Sequence, residues 1–157
     1  MKSVRWIPFF IALFVGCLVN YIGDWILGIR IEVFYGLQTF NFIWFIQLFI
    51  LPVLVGMSVS FVYGLGGKWV SMFPPLIVRA IAYYETQNFL GVADGAALMP
   101  LGWWAFFVIL AMEAAMFGGV FGEIAIKRIY GRTPVEDTKE NPDSMQNAEQ
   151  RDATRID

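Results

Sequence analysis

A chain of 157 residues that is 58% hydrophobic and 17% aromatic, with positive mean hydropathy, is too apolar for an ordinary soluble domain and reads as an all-α integral membrane protein. A bilayer crossing takes roughly 20 apolar residues, so there is room for three or four spans and none for a soluble catalytic domain. With no histidine and Cys17 as its one cysteine, the chain cannot build imidazole-ligated haem, a Ser-His-Asp triad, an intrachain disulfide or a four-Cys iron–sulfur cluster, and no metal or cofactor is expected.

The net charge of −2 hides a division along the chain. Residues 1–132 carry eight Lys/Arg against six Asp/Glu, and residues 133–157 carry three against seven. The acidic segment 133–157 has no aromatic residue and little apolar surface to bury, which predicts a disordered tail. Nothing in this pattern points to nucleic acid as a partner.

In chain order, the basic start Lys2 and Arg5 precedes a first apolar run over residues 6–28, about 34 Å long as a helix. No small-residue cleavage site follows it, so it reads as a retained span and not as a signal peptide. Gly16, Asn20 and Asp24 recur every four residues and share one face, which should look into protein. A polar-aromatic connection leads to the second span, residues 42–63, where Pro52 predicts a kink. Gly64-Leu65-Gly66-Gly67 reads as a tight turn, closed by Lys68. A third stretch, residues 72–93, is broken briefly at Pro74-Pro75 and carries Arg79 and Glu85. Asp94-Gly95 and Pro100 punctuate the way to the last span, residues 101–126, which ends in Lys127, Arg128 and Arg132.

The third stretch could cross the bilayer or lie along its surface. If it crosses, Lys2, Arg5, Lys68, Lys127, Arg128 and Arg132 share one side and only Arg30 falls on the other, as the positive-inside rule requires. If it lies flat, that bias disappears. The six tryptophans also fall near span ends, Trp6 and Trp69 inside and Trp25, Trp44, Trp103 and Trp104 outside, as headgroup-level indoles should. The expected fold is therefore a four-transmembrane-helix bundle with both termini cytoplasmic, in a membrane of the bacterial inner type.

An ionisable side chain near mid-bilayer costs about 3 kcal/mol on insertion scales and needs a partner or water. Asp24, Arg79, Glu85 and Glu113 are the candidates for a buried polar site or an ion path, with an Arg79–Glu113 pair as the simplest neutralisation. Near the inner end, Glu123 and Lys127 should form an ordinary i,i+4 pair. In the last span, Ala111, Ala115 and Gly119 form one row and Ala114, Gly118 and Gly122 the next, a flat face for close helix packing or docking. Glu113 points away from that face, so this helix should meet protein or water on two sides.

Catalysis is not expected: Asp24 and Asp94 fall on the same side, but no intramembrane aspartyl hydrolase motif surrounds them. Gly64 to Lys68 lacks the spacing of a phosphate-binding loop. The sequence points to a small non-catalytic subunit or assembly factor of a larger membrane complex, whose partners are the lipid bilayer and other membrane subunits or copies of itself. A small homo-oligomeric ion or proton channel or transporter using Asp24, Arg79, Glu85 and Glu113 is the alternative.

Overall fold

The structure, a computed structural model, describes residues 6–92 and 94–129. The basic start, Arg132 and the acidic tail 133–157 lie outside the described residues. The protein is mostly helical, and among the described residues three helices are long and apolar enough to cross a membrane: α1 (Trp6–Leu27), α2 (Phe42–Tyr63) and α4 (Leu101–Ile129). Between α2 and α4 lies α3 (Phe73–Glu85), continued by one π turn, Thr86–Leu90. The only strands among the described residues form a two-residue antiparallel ladder, β1 (Val33–Phe34) against β2 (Ala97–Leu98), with Val33 opposite Leu98.

Local chemistry sets the boundaries. Gly28 ends α1 with φ 64°, and its N–H donates to the Asp24 carbonyl at 3.0 Å, an arrangement that costs a glycine no steric strain. Asn41 starts α2 by accepting from the Trp44 N–H at 2.8 Å, satisfying an amide that the first helical turn leaves free. The irregularity expected of Pro52 takes the form of a π turn over Ile46–Ile50, ahead of the regular stretch Leu51–Tyr63 that carries the proline in its first turn. A wider turn here relieves the clash of the ring with the preceding carbonyl. Pro74 and Pro75 do not break the third stretch. They begin α3, where a missing N–H loses no bond, and the interruption comes earlier, at Ser71 and Met72, after a one-turn helix over Gly67–Val70.

Two sets of contacts fix how the connections are shared between the ends of the bundle. At one end the ladder joins the α1–α2 connection to the α3–α4 connection, and the Met99 N–H adds a bond to the Glu32 carbonyl at 2.8 Å. At the other end Glu123 Oε1 of α4 accepts from the N–H groups of Gly66 and Lys68 at 3.0 and 3.2 Å. Glu123 is therefore committed across the bundle to the glycine hairpin, where a local pair with Lys127 was expected. Because the chain leaves the hairpin end after residue 72 and reaches the ladder end by residue 97, α3 with its π turn runs between them.

The seam between α2 and α4 is the tightest part of the molecule. Ala111, Ala114, Ala115, Gly118, Gly119 and Gly122 are all buried, and their neighbours belong to the same chain. A Cβ on Gly118 would collide with the Val53 carbonyl oxygen, and one on Gly122 would lie 2.7 Å from Ser60 Cβ. With lipid as solvent there is no hydrophobic gain in joining two apolar helices, so close packing and interhelical hydrogen bonds hold them together. Ser60 Oγ donates to the Gly119 carbonyl at 2.8 Å, and Ser71 Oγ to the Ala115 carbonyl at 3.0 Å. The face read as a possible docking surface is thus occupied internally and is not free for a partner.

The tryptophans divide. Trp6, Trp25, Trp69 and Trp103 are exposed, two towards each end, but Trp44 is 1% exposed within a core of Ile31, Leu48, Met99, Phe107 and Ala111. Trp104 packs on that core and lies 4.9 Å from the Tyr83 ring. Both serve as interior residues of the ladder end, where headgroup anchors were expected.

Candidate functional site

The strongest concentration of buried polar groups lies just beneath the ladder. Arg79 belongs to the inward face of α3 with Pro74, Pro75 and Val78, and is 3% exposed. Its Nη2 forms an ion pair with Asp24 Oδ1 of α1, and its Nη1 reaches Glu32 Oε1 at 3.4 Å. Asp24 Oδ1 also accepts from Gln47 Nε2 at 2.9 Å, and the same amide nitrogen donates to the Ile29 carbonyl at 2.7 Å. One guanidinium thus faces two carboxylates, and a buried glutamine ties one of them to the loop that carries the other.

Each participant has a structural reason for its place. Asp24 is the last member of the Gly16, Asn20, Asp24 row, whose first two residues are buried against α2 and α3. Gln47 sits in the π turn of α2, where it and Leu48 are both buried. Such turns disturb helical side-chain periodicity and recur at functional sites. Glu32 immediately precedes β1, and the bond from Met99 to its carbonyl fixes its backbone. Ile31, Glu32 and Val33 are all buried, so the connection folds inwards over the bundle end and does not hang in solvent. Burial pushes the Glu32 carboxyl above its ordinary range, against the opposing pull of Arg79.

A cavity of about 350 Å³ opens beside the cluster between α1 and α3, lined by Tyr21, Asp24, Trp25, Glu32, Arg79 and Glu85 among others. A second, of about 510 Å³, lies under the connection and is lined by Arg30, Tyr35, Thr39, Asn41 and Trp44 among others. Arg30 borders both.

Of the four charged residues picked from the sequence, the fold brings Asp24 and Arg79 into contact and sets Glu85 on the cavity wall. Glu113 is exposed on α4, and the partners of Arg79 are Asp24 and Glu32, so the expected Arg79–Glu113 pair is replaced. The four do not line a single path. Glu32 and Gln47 are the members that sequence reading missed. Gln47 stood out only as a polar residue in an apolar run, and Glu32 lay in a short connection that reads as solvated. Among the described residues no group of three or more His, Cys, Asp or Glu side chains could hold a metal ion.

No family model, curated protein or solved structure matches this chain.

Proposed function

We propose that the protein is a non-catalytic subunit or assembly factor of a larger membrane complex, a four-pass chain with both ends cytoplasmic, resident in a membrane of the bacterial inner type. The four-pass reading is supported by the course of α3 between the two ends of the bundle. It is also supported by charge: Lys68, Lys127 and Arg128 gather at the hairpin end with Arg30 at the other, the asymmetry that retains basic loops in the cytoplasm.

The observation that carries the subunit reading is Glu113. It is exposed near the middle of α4, about 18 Å along the helix from Leu101 and about 24 Å from Ile129 at 1.5 Å per residue. Its neighbours on the outward face are the exposed Phe106, Ile109, Phe117 and Phe121, which are suited to hydrocarbon. A carboxyl in that setting costs several kcal/mol unless a neighbouring helix supplies a donor or a basic group. Within this chain Arg79 is already paired, and the other basic side chains among the described residues, Arg30, Lys68, Lys127 and Arg128, lie towards the helix ends. The fitting partner is a transmembrane helix of another polypeptide with a basic or hydrogen-bonding residue at mid-depth.

The test is site-specific photo-crosslinking in intact membranes from positions 106 and 117, on either side of Glu113. Covalent attachment to one other membrane protein is expected, and its loss in Glu113→Leu. Adducts to lipid alone from both positions would refute the subunit reading, and adducts between copies of this chain would replace it with self-association.

A further inference from the structure

The charges of the ladder-end cluster do not balance. Arg79 contributes one positive charge, while Asp24 and Glu32 contribute two negative charges when both are ionised. Glu32 is 0% exposed, so any surplus charge would sit where water cannot screen it. The cluster also leaves two buried acceptors unpaired. Glu32 Oε2 and Gln47 Oε1 are buried acceptors without a donor among the described residues, and Arg79 is held closer to Asp24 than to Glu32. An ionised Glu32 would leave that oxygen charged, unpaired and away from water.

We propose that Glu32 is a proton-binding site: at neutral pH its carboxyl carries one proton taken from solution, leaving an Asp24–Arg79 ion pair and a cluster without net charge. No bond other than the O–H forms, and no electron moves. Two observations select a proton over a metal ion or an organic amine. Glu32 Oε2 is sealed from contact even with a water-sized group, and a proton is the one cation that needs no room. Asp24, by contrast, keeps 17% of its side chain exposed and lines the cavity with Glu32, so protons reach the cluster from that side. The titratable and charged groups facing Glu32 are Asp24 of α1 and Arg79 of α3; Tyr21, Glu85 and Arg30 border the same cavity. Desolvation favours the protonated acid in such a setting, as it does for other buried carboxyls. The proposal is independent of the subunit reading, since Glu113 plays no part in it.

Infrared spectroscopy of the full chain in phosphatidylcholine vesicles tests this. At neutral pH the wild-type minus Glu32→Gln difference spectrum should contain the C=O stretch of a protonated carboxylic acid, shifted down in heavy water and fading as the pH is raised. In Asp24→Asn, Glu32 becomes the only counterion of Arg79, so it should ionise and its acid band should vanish. Carboxylate bands in place of the acid band in the wild-type difference spectrum would overturn the proposal. If Glu32→Gln does not fold, the wild-type minus Glu32→Asp spectrum decides in its place: a shifted acid band is expected, and carboxylate bands alone would overturn the proposal.

Discussion

The two ends of the bundle are stabilised in opposite ways. Towards the hairpin, α2 and α4 approach until glycines and alanines meet backbone, serines donate to carbonyls across the seam, and Glu123 closes the end on backbone N–H groups. Towards the ladder the helices are held apart by larger groups, and the space between them is filled by Trp44, Gln47, Arg79 and an inward-folded loop. The first arrangement tolerates no added volume, and the second no unmatched charge. Substitutions should therefore fail for different reasons at the two ends.

The largest effect is expected from volume. Gly118→Leu, or Gly56→Leu against the Ala115 carbonyl, forces two backbones apart and should cost about 3 kcal/mol or more, seen as loss of the cooperative thermal transition in detergent. Gly102→Ala, which adds a methyl to open space on the same helix as Gly118, should change stability by less than about 0.5 kcal/mol. Equal damage from both would mean that the seam is not close-packed.

Next comes charge. Arg79→Met strands the Asp24 carboxylate without its cation, and breaking a buried pair in this way costs about 3 to 5 kcal/mol. The triple variant with Asp24→Asn and Glu32→Gln should recover most of that loss, because no unmatched charge is left. Failure of the triple variant to recover would show that Arg79 contributes by packing, not by charge.

A smaller effect follows pH. The folded-state pKa of Glu32 is raised, so the folded protein binds this proton more tightly than the unfolded chain. Its contribution is complete below the unfolded carboxylate pKa and declines as pH rises towards the folded one. Wild type should lose stability across that window, and Glu32→Gln should lose less, as measured by thermal unfolding at a series of pH values. A modest effect belongs to Ser60→Ala, about 1 kcal/mol for one buried hydrogen bond, and a change several times larger would point to a rearranged seam.

The same division explains what could be read in advance. The seam was legible because its signal is local: small residues at intervals of three and four on one helix define a face whatever meets it, and the span boundaries at Phe42 and Tyr63 follow from unbroken apolar runs. The ladder-end cluster joins residues 24, 32, 47 and 79, and only tertiary structure brings these together. Arg79 and Asp24 were recognisable as needing partners, but which partner depended on the strap that carries Glu32 inward, a loop whose burial has no periodic signature. Pro74 and Pro75 read as a break, yet they serve as a helix start because first-turn positions need no N–H, and at Pro52 the irregularity is a π turn just ahead of the ring.

Glu113 sits outside both regions and belongs to neither solution. Changing it should alter the stability of the isolated chain by less than about 0.5 kcal/mol, the range of surface substitutions, while changing what the chain binds. The most direct measurement is native mass spectrometry of the protein released from its own membrane in mild detergent, wild type beside Glu113→Leu. Wild type should emerge bound to a different polypeptide, and Glu113→Leu as a single folded chain. Wild type emerging alone, with the variant indistinguishable from it, would contradict the account.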